Sequence, residues 1–181
     1  MNPIPCVFAA VAVPVLFLAL ALVPSRAHAQ EELTVTSPDF EDREMMDAVF
    51  SRMGGNRSPA IEWSGAPAGT QSFALICDDP DAPRGRWVHW VIYNIPAGET
   101  GLAQGQPKLE VLENGAVQGE NSWGVIGWDG PQPPSGTHRY YFKVYALDIV
   151  LDLAPGADKG DLRDAMDDHI LAEGEIMGKF R

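Results

Sequence analysis

The chain has 181 residues, with 13 Lys and Arg against 25 Asp and Glu, so its formal charge at pH 7 is −12. That length suits a single domain with a substantial core. With 45% hydrophobic and 21% charged residues, the composition is that of a globular protein and excludes wholesale disorder. A polyanion has the wrong sign to follow a phosphate backbone, so we expect no nucleic-acid partner.

Residues 1–29 differ in kind from the rest of the chain. They contain no acidic residue, and an apolar run from Val7 to Val23 is followed by Ala27-His28-Ala29. An apolar core that ends in a small-x-small triplet predicts a secretory signal cleaved after Ala29, and therefore a periplasmic or secreted protein. The alternative is an uncleaved anchor helix, which the shortness of the run and Pro14 disfavour.

Residues 30–181 contain no internal repeat and no long linker, so we expect one domain. Removal of the signal would leave Cys77 as the sole cysteine, which excludes an internal disulfide. Cys77 ends the apolar run Phe73-Ala-Leu-Ile-Cys77. We interpret it as a small buried hydrophobe and not as a nucleophile.

Three segments have the composition of β-strands, namely Ser72–Cys77, Trp87–Ile95 and His138–Leu147. Each is rich in aromatic or β-branched residues and is bounded by Gly or Pro, which favours a mainly β fold. Period-2 alternation predicts two shared faces. The first contains His138, Tyr140, Phe142, Val144 and Ala146, and the second contains Trp87, His89, Val91 and Tyr93.

Two segments have helical spacing. Asp158, with Asp161 three residues on, resembles a capping box, and Leu162, Met166, Ile170 and Met177 follow at near-helical intervals, although Gly174 would weaken or split such a helix. In residues 41–53 the pattern of Met45, Met46, Val49, Phe50 and Met53 favours a short amphipathic helix.

The segment Asp79-Pro80-Asp81-Ala82-Pro83 follows the first strand. Its two prolines fix the backbone, so the turn is rigid and projects Asp79 and Asp81 with little entropy left to lose on binding a ligand. The simpler alternative is that these carboxylates only accept hydrogen bonds from turn amides.

A second loop runs from Gly130 to Gly136 and includes Pro134. Its glycines and prolines could turn successive N–H groups towards one point and form an anion-binding nest. His138 and Tyr140 begin the next strand on a common face. Together with His89 and the two Asp side chains, these groups predict a pocket for a phosphate-sized anion without a metal or cofactor.

The same residue types can also bind a metal or support acid–base catalysis. Two His and a carboxylate can hold iron or zinc, but the sequence has no His-x-His or His-x₃-His spacing. A Ser-His-Asp hydrolase is disfavoured by the lack of a Gly-x-Ser-x-Gly motif. Asp79 beside His89 could still form a general acid–base pair, since a carboxylate raises the pKa of a neighbouring His and orients its ring.

At these two loops the chain resembles the phosphatidylethanolamine-binding protein family, in its bacterial Raf-kinase-inhibitor-like branch. The resemblance spans roughly residues 33–181. The segments that carry it are Asp79-Pro80-Asp81-Ala82-Pro83, His89-Trp90, Gly130-Pro131, Pro133-Pro134 and His138-Arg139-Tyr140, with support from Ser58-Pro59, Trp63, Asn121 to Gly124 and the run that begins at Ile170.

The resemblance implies a central antiparallel sheet packed on a second, smaller sheet, with one or more helices near the C-terminus. It also implies a pocket for phosphate, similar small anions or a phosphorylated head group. Carried over by position, the lining residues would be Asp79, His89, Gly130, Pro134, His138 and Tyr140, with Asp81 supporting the rim. No enzymatic activity is generally established for the family.

Members are described as phospholipid or phospho-ligand binders and as inhibitors of kinases or serine proteases. The resemblance therefore leaves a kinase or protease partner open, and the sequence leaves a homodimer open. Our first hypothesis is an exported protein that binds a small anion; the alternatives are a phosphoester-directed hydrolase or lyase that uses Asp79 and His89, and a serine protease inhibitor.

The chain departs from the family pattern at two places. Trp128 stands where the family commonly has Tyr, so we expect one hydroxyl fewer at the pocket wall. Residues 41–57 carry fewer glycines than the family's extended segment; we follow the family there and keep the short helix as the alternative.

Overall fold

Two sheets and one α-helix make up the computed structural model, which describes residues 31–181. The signal predicted for residues 1–29 lies outside the described residues. The strands are β1 (Glu31–Glu32), β2 (Thr34–Thr36), β3 (Ile61–Ser64), β4 (Ser72–Asp79), β5 (Trp87–Pro96), β6 (Gly101–Leu102), β7 (Val117–Gln118), β8 (His138–Leu147) and β9 (Ile170–Phe180). The helix α1 spans Lys159–Met166.

The larger sheet has the strand order β1-β9-β8-β4-β5-β7, and the smaller sheet has the order β2-β3-β6. All pairs are antiparallel except the short β1–β9 pair. The predicted mainly β fold, with a central antiparallel sheet, a smaller second sheet and a C-terminal helix, is confirmed. No helix within residues 31–181 is long and apolar enough to cross a membrane.

The central strand β4 is buried along its whole length because both faces of the larger sheet are covered. Phe73, Leu75 and Cys77 belong to the core between the two sheets. Ala74 and Ile76 belong to a second core on the other face, which contains Leu162 and Met166 of α1. Cys77 is fully buried, as predicted, and forms no disulfide within residues 31–181. Burial raises the pKa of its thiol, which disfavours the nucleophilic thiolate.

The predicted alternation of β8 is confirmed. Tyr140, Phe142 and their period-2 partners lie in the core between the sheets, whereas Tyr145 and Leu147 lie on the α1 side. The strand pairs with β4 on one side and with β9 on the other, so the alternation of a regular ladder is kept.

The predicted common face of β5 is wrong, because the strand contains a bulge at His89. Cys77 pairs with Trp90 and Asp78 pairs with Val88, which leaves His89 as the additional residue between the two pairs. The bulge reverses the alternation. Val91 and Tyr93 therefore lie on the α1 side, while His89 lies on the opposite side of the sheet.

The helix predicted after Asp158 exists but ends at Met166. Asp158 accepts hydrogen bonds from the amides of Gly160 and Asp161 in a capping box, as predicted. The second half of the predicted helix is wrong, since Ile170–Phe180 forms β9 and pairs with β8. Pairing with the long strand β8 stabilises this segment more than a helix with weak amphipathic spacing would.

The short helix considered for residues 41–53 is reduced to a single 3₁₀ turn, Ala48–Phe50. The amides of Arg43 and Met46 donate to the carbonyls of Met177 and Lys179, so part of this backbone pairs with the edge of β9. Turns and bends, together with the 3₁₀ turn, make up most of residues 41–57, so the extended segment that the family resemblance implies is not found there.

Candidate functional site

A cavity of about 260 Å³ lies where β4 ends and where β5 and β8 begin. We call it the His138 cavity. Five of the seven residues predicted for the site line it, and they come from three strands and one loop. These residues are Asp79, His89, Pro134, His138 and Tyr140. The two imidazoles, which are far apart in the sequence, thus meet in one cavity.

Asp79 is held at the end of β4 by the rigid turn that follows. One of its carboxylate oxygens accepts a hydrogen bond from the amide of Asp81 at 2.8 Å. The other accepts from Nδ1 of His138 at 2.7 Å, and both side chains are buried. Because Nδ1 faces the carboxylate, Nε2 is the ring nitrogen of His138 that is left for a ligand.

His89 has a different environment. Its Nδ1 donates to the backbone carbonyl of Asp129 at 2.6 Å, since a carbonyl oxygen can only accept. Burial lowers the pKa of His89 to about 4, so the ring is neutral at pH 7 and its Nε2 carries a lone pair. Asp79 raises the pKa of His89, as predicted, but burial outweighs this effect. The predicted Asp79–His89 pair is wrong, because Asp79 forms its hydrogen bond with His138.

Tyr140 supplies an unpartnered donor. Its hydroxyl is buried and has no hydrogen-bond partner among residues 31–181. Burial raises the pKa of the phenol, which therefore stays protonated. The ring packs edge-on against His89, with centroids 5.1 Å apart, so both rings belong to one wall of the cavity.

Asp81 and Gly130 do not line the cavity. Asp81 forms a two-pronged ion pair with the guanidinium of Arg139, with N–O distances of 2.6 and 2.8 Å, which lowers the pKa of its carboxyl through the hydrogen bonds to Arg139. The amide of Gly130 donates to the side chain of Asn56 at 2.8 Å. That amide is therefore not part of an anion-binding nest.

Gly130 has a packing role. A Cβ atom at this position would lie 2.1 Å from the carbonyl oxygen of Phe50, so only glycine allows the two loops to approach this closely. The loops are also joined through buried Asp129, which contacts Asn56 at 2.5 Å, Lys108 at 3.3 Å and Arg52 at 3.4 Å.

Trp128 lies in the core and does not line the cavity. Its ring stacks on Phe142 with centroids 5.7 Å apart. The Trp128 ring also packs near His89, with centroids 6.0 Å apart, so it forms part of the layer behind that residue. The expected loss of one hydroxyl at the pocket wall stays a prediction.

Sequence reasoning missed several lining residues, among them Arg84, Trp87 and Trp123. The indole N–H of Trp87 is buried without a hydrogen-bond partner among the described residues. The Arg84 side chain is exposed, and no carboxylate within residues 31–181 forms an ion pair with it. For Arg84 and Trp87 the only sequence signal was their closeness to the Asp-Pro-Asp turn, and for Trp123 it was its place in the Asn121 to Gly124 segment.

The lining contains two unpartnered hydrogen-bond donors, the Tyr140 hydroxyl and the Trp87 indole N–H, and the exposed guanidinium of Arg84. Its carboxylate, from Asp79, is buried and pairs with His138. In the part of the chain that the structure describes, no group of three or more His, Cys, Asp or Glu side chains is arranged to hold a metal ion. The site is thus a small, mainly apolar cavity with a few convergent polar groups, which is the general form of a ligand-binding pocket.

The fold and this cavity define a two-sheet β protein with a pocket at the strand ends. The model of the phosphatidylethanolamine-binding protein family matches residues 36–181, and the chain belongs to that family. A UPF0098 protein of Methanothermobacter thermautotrophicus is 50% identical over 142 residues, which are 78% of this chain and 94% of that protein.

Solved structures show the same similarity. A homologue of phosphatidylethanolamine-binding protein from Chlamydia trachomatis has a TM-score of 0.77 and 38% identity, over 83% of this chain and 98% of its own. YbcL of E. coli, described as a member of the mammalian family, has a TM-score of 0.77 and 34% identity with the same coverage.

Proposed function

We propose that the His138 cavity binds a small anion, such as phosphate or a phosphorylated head group. The observation that carries this proposal is the pair of buried donors without partners in its lining, the Tyr140 hydroxyl and the Trp87 indole N–H. An unsatisfied buried donor costs about 1–3 kcal/mol, and an anionic oxygen would remove that cost.

The charges of the lining support the same ligand class. Arg84 brings a guanidinium to the cavity without an acidic partner among the described residues, and guanidinium groups match the geometry of phosphate oxygens. Asp79 would repel an anion, but its carboxylate faces Nδ1 of His138. The carboxylate charge is therefore partly offset by this hydrogen bond, and Nε2 of His138 is the ring nitrogen left for the ligand.

The size of the cavity limits the ligand. A volume of about 260 Å³ is just below the usual range for ligand pockets, roughly 300–1,000 Å³. It suits a phosphate or a compact head group. The acyl chains of a phospholipid would lie outside it.

The first experiment replaces only the unpartnered hydroxyl, with Tyr140→Phe. Because that hydroxyl has no partner in the free protein, we expect the free energy of unfolding to stay level or to rise by about 1 kcal/mol. Phosphate binding, measured by calorimetry, should weaken by about ten- to a hundredfold, since a hydrogen bond to a charged group is worth about 1.5–3 kcal/mol.

The matched control is Tyr93→Phe. The Tyr93 hydroxyl donates to the carbonyl of Ala154, away from the cavity, so this variant should lose stability and keep its phosphate affinity. Equal phosphate affinities for the wild type and Tyr140→Phe would contradict the proposal.

The contact between Asp79 and His138 favours a second candidate function, acid–base catalysis on a phosphoester. A carboxylate that orients an imidazole is the usual arrangement of a general base. In this reaction His138 would take a proton from a water molecule, which would attack phosphorus while the alcohol leaves. Turnover of an aryl phosphate that His138→Gln abolishes would favour this function, and binding without turnover would exclude it for that substrate.

We also propose that the protein is exported, on the basis of the apolar run and the Ala27-His28-Ala29 triplet. The mass of the protein recovered from the periplasm or medium tests this. A mature N-terminus at Gln30 is the expected result. A full-length protein that stays with the membrane would favour the anchor helix instead.

A further inference from the structure

A second cavity, of about 340 Å³, lies on the other face of the larger sheet, between β4, β8 and α1. We call it the Lys159 cavity. Four basic side chains line it: Arg86, Lys143, Lys159 and Arg163. Asp78 is the one acidic residue in the lining.

The two cavities are separate because Asp78 and Asp79 are consecutive residues of one strand. Successive side chains of a strand point to opposite faces. Asp79 therefore lines the His138 cavity, and Asp78 lines the Lys159 cavity. The sheet itself stands between them.

Asp78 pairs with two of the four basic side chains, Arg86 and Lys159. Its side chain is buried, with 2% exposed, and one of its oxygens accepts from Arg86 at 2.7 Å. The other accepts from Nζ of Lys159. Both carboxylate oxygens thus have a charged partner, and the buried charge is compensated.

Lys143 and Arg163 do not pair with Asp78. Lys143 forms a long ion pair with Glu175 at 3.7 Å, and Arg163 contacts the hydroxyl of Tyr145 at 3.4 Å. Long contacts of this kind at the surface contribute little stability. In a protein of net charge −12, four of 13 basic residues around one concavity make a local region of positive potential.

We propose that the Lys159 cavity is a second ligand site, for a small multivalent phosphate anion. The guanidinium groups of Arg86 and Arg163 can each form bidentate hydrogen bonds with phosphate oxygens, and the two lysines add positive charge. The volume accommodates a pyrophosphate-sized anion. This site does not rest on the function proposed for the His138 cavity.

The test is a titration with inorganic pyrophosphate, followed through the backbone amide signals of the full protein. We expect shifts in residues 159–163 and around Lys143. The double variant Lys143→Gln/Arg163→Gln should weaken this binding at least about tenfold. It keeps Arg86 and Lys159 with Asp78, so the buried charge stays paired and the fold is retained.

The control variant Arg43→Gln/Arg181→Gln removes the same number of charges from side chains outside the cavity. It should bind pyrophosphate as the wild type does. If both double variants lost the same affinity for pyrophosphate, the effect would come from net charge alone, and the proposal would be overturned. Unmoved signals in residues 159–163 at millimolar pyrophosphate would overturn it too.

The two proposals fail separately in this experiment. Tyr140→Phe should leave the shifts at residues 159–163 unchanged, because Tyr140 lines only the other cavity. If the amides near His138 respond and those of residues 159–163 do not, the second site is refuted and the first stands. The converse result supports the second site, and a parallel titration with phosphate that also leaves the amides near His138 unmoved would refute the first.

Discussion

His89 and His138 line the same cavity, but the group that hydrogen-bonds Nδ1 differs between the two rings. His138 faces a carboxylate, and His89 faces a backbone carbonyl. The sequence predicted that both rings and Asp79 belong to one site. It could not predict which ring takes the carboxylate, because that depends on a bulge in β5 that no sequence pattern indicated.

The buried, neutral state of His89 predicts a pH dependence of stability. Its pKa is about 4 in the folded protein, against an ordinary value of 6.5, so the unfolded chain binds a proton more readily between these values. Stability is therefore lost as the pH falls from about 6.5 to 4, by roughly 3 kcal/mol from this group.

Chemical unfolding at pH 7 and pH 4.5 measures this effect. The His89→Gln variant removes the titrating group, so its loss of stability over this pH range should be smaller than that of the wild type. The surface residue His169, which pairs with Asp148, provides the control as His169→Gln. An identical pH dependence for His89→Gln and the wild type would contradict the assignment.

At the scale of elements, β9 shows how tertiary pairing outweighs local spacing. Ile170 and Met177 fit a helical interval, but a ten-residue ladder with β8 satisfies the backbone instead. Gly174 was expected to weaken a helix. In the structure it allows a close approach, since a Cβ there would lie 2.1 Å from the carbonyl oxygen of Leu33.

The substitution Gly174→Ala should therefore destabilise the protein. The added methyl group forces the segment at Leu33 away from β9, at a cost of about 3 kcal/mol. Gly98→Ala is the matched control, because a Cβ at Gly98 would have no atom within 4 Å. Thermal unfolding compares the two, and similar melting temperatures would show that β9 is not packed in this way.

At the scale of the whole molecule, the larger sheet separates a mainly apolar cavity from one lined by four basic side chains. The predictions for the fold succeeded where alternation was regular, as in β8, or where the capping chemistry was local, as at Asp158. They failed where a bulge or a partner strand decided the outcome. Arg84 and Trp87 were missed because only the folded turn brings them to the cavity.

Phosphate titration followed through the indole N–H signals of the five tryptophans tests the central claim most directly. Trp87 lines the His138 cavity and has an unpartnered N–H, whereas the N–H of Trp63, equally without a partner in the described chain, lies in the core away from the cavity. The account predicts that phosphate shifts the Trp87 signal downfield and leaves Trp63 unmoved. A Trp87 signal that stays in place at millimolar phosphate would contradict anion binding in the His138 cavity.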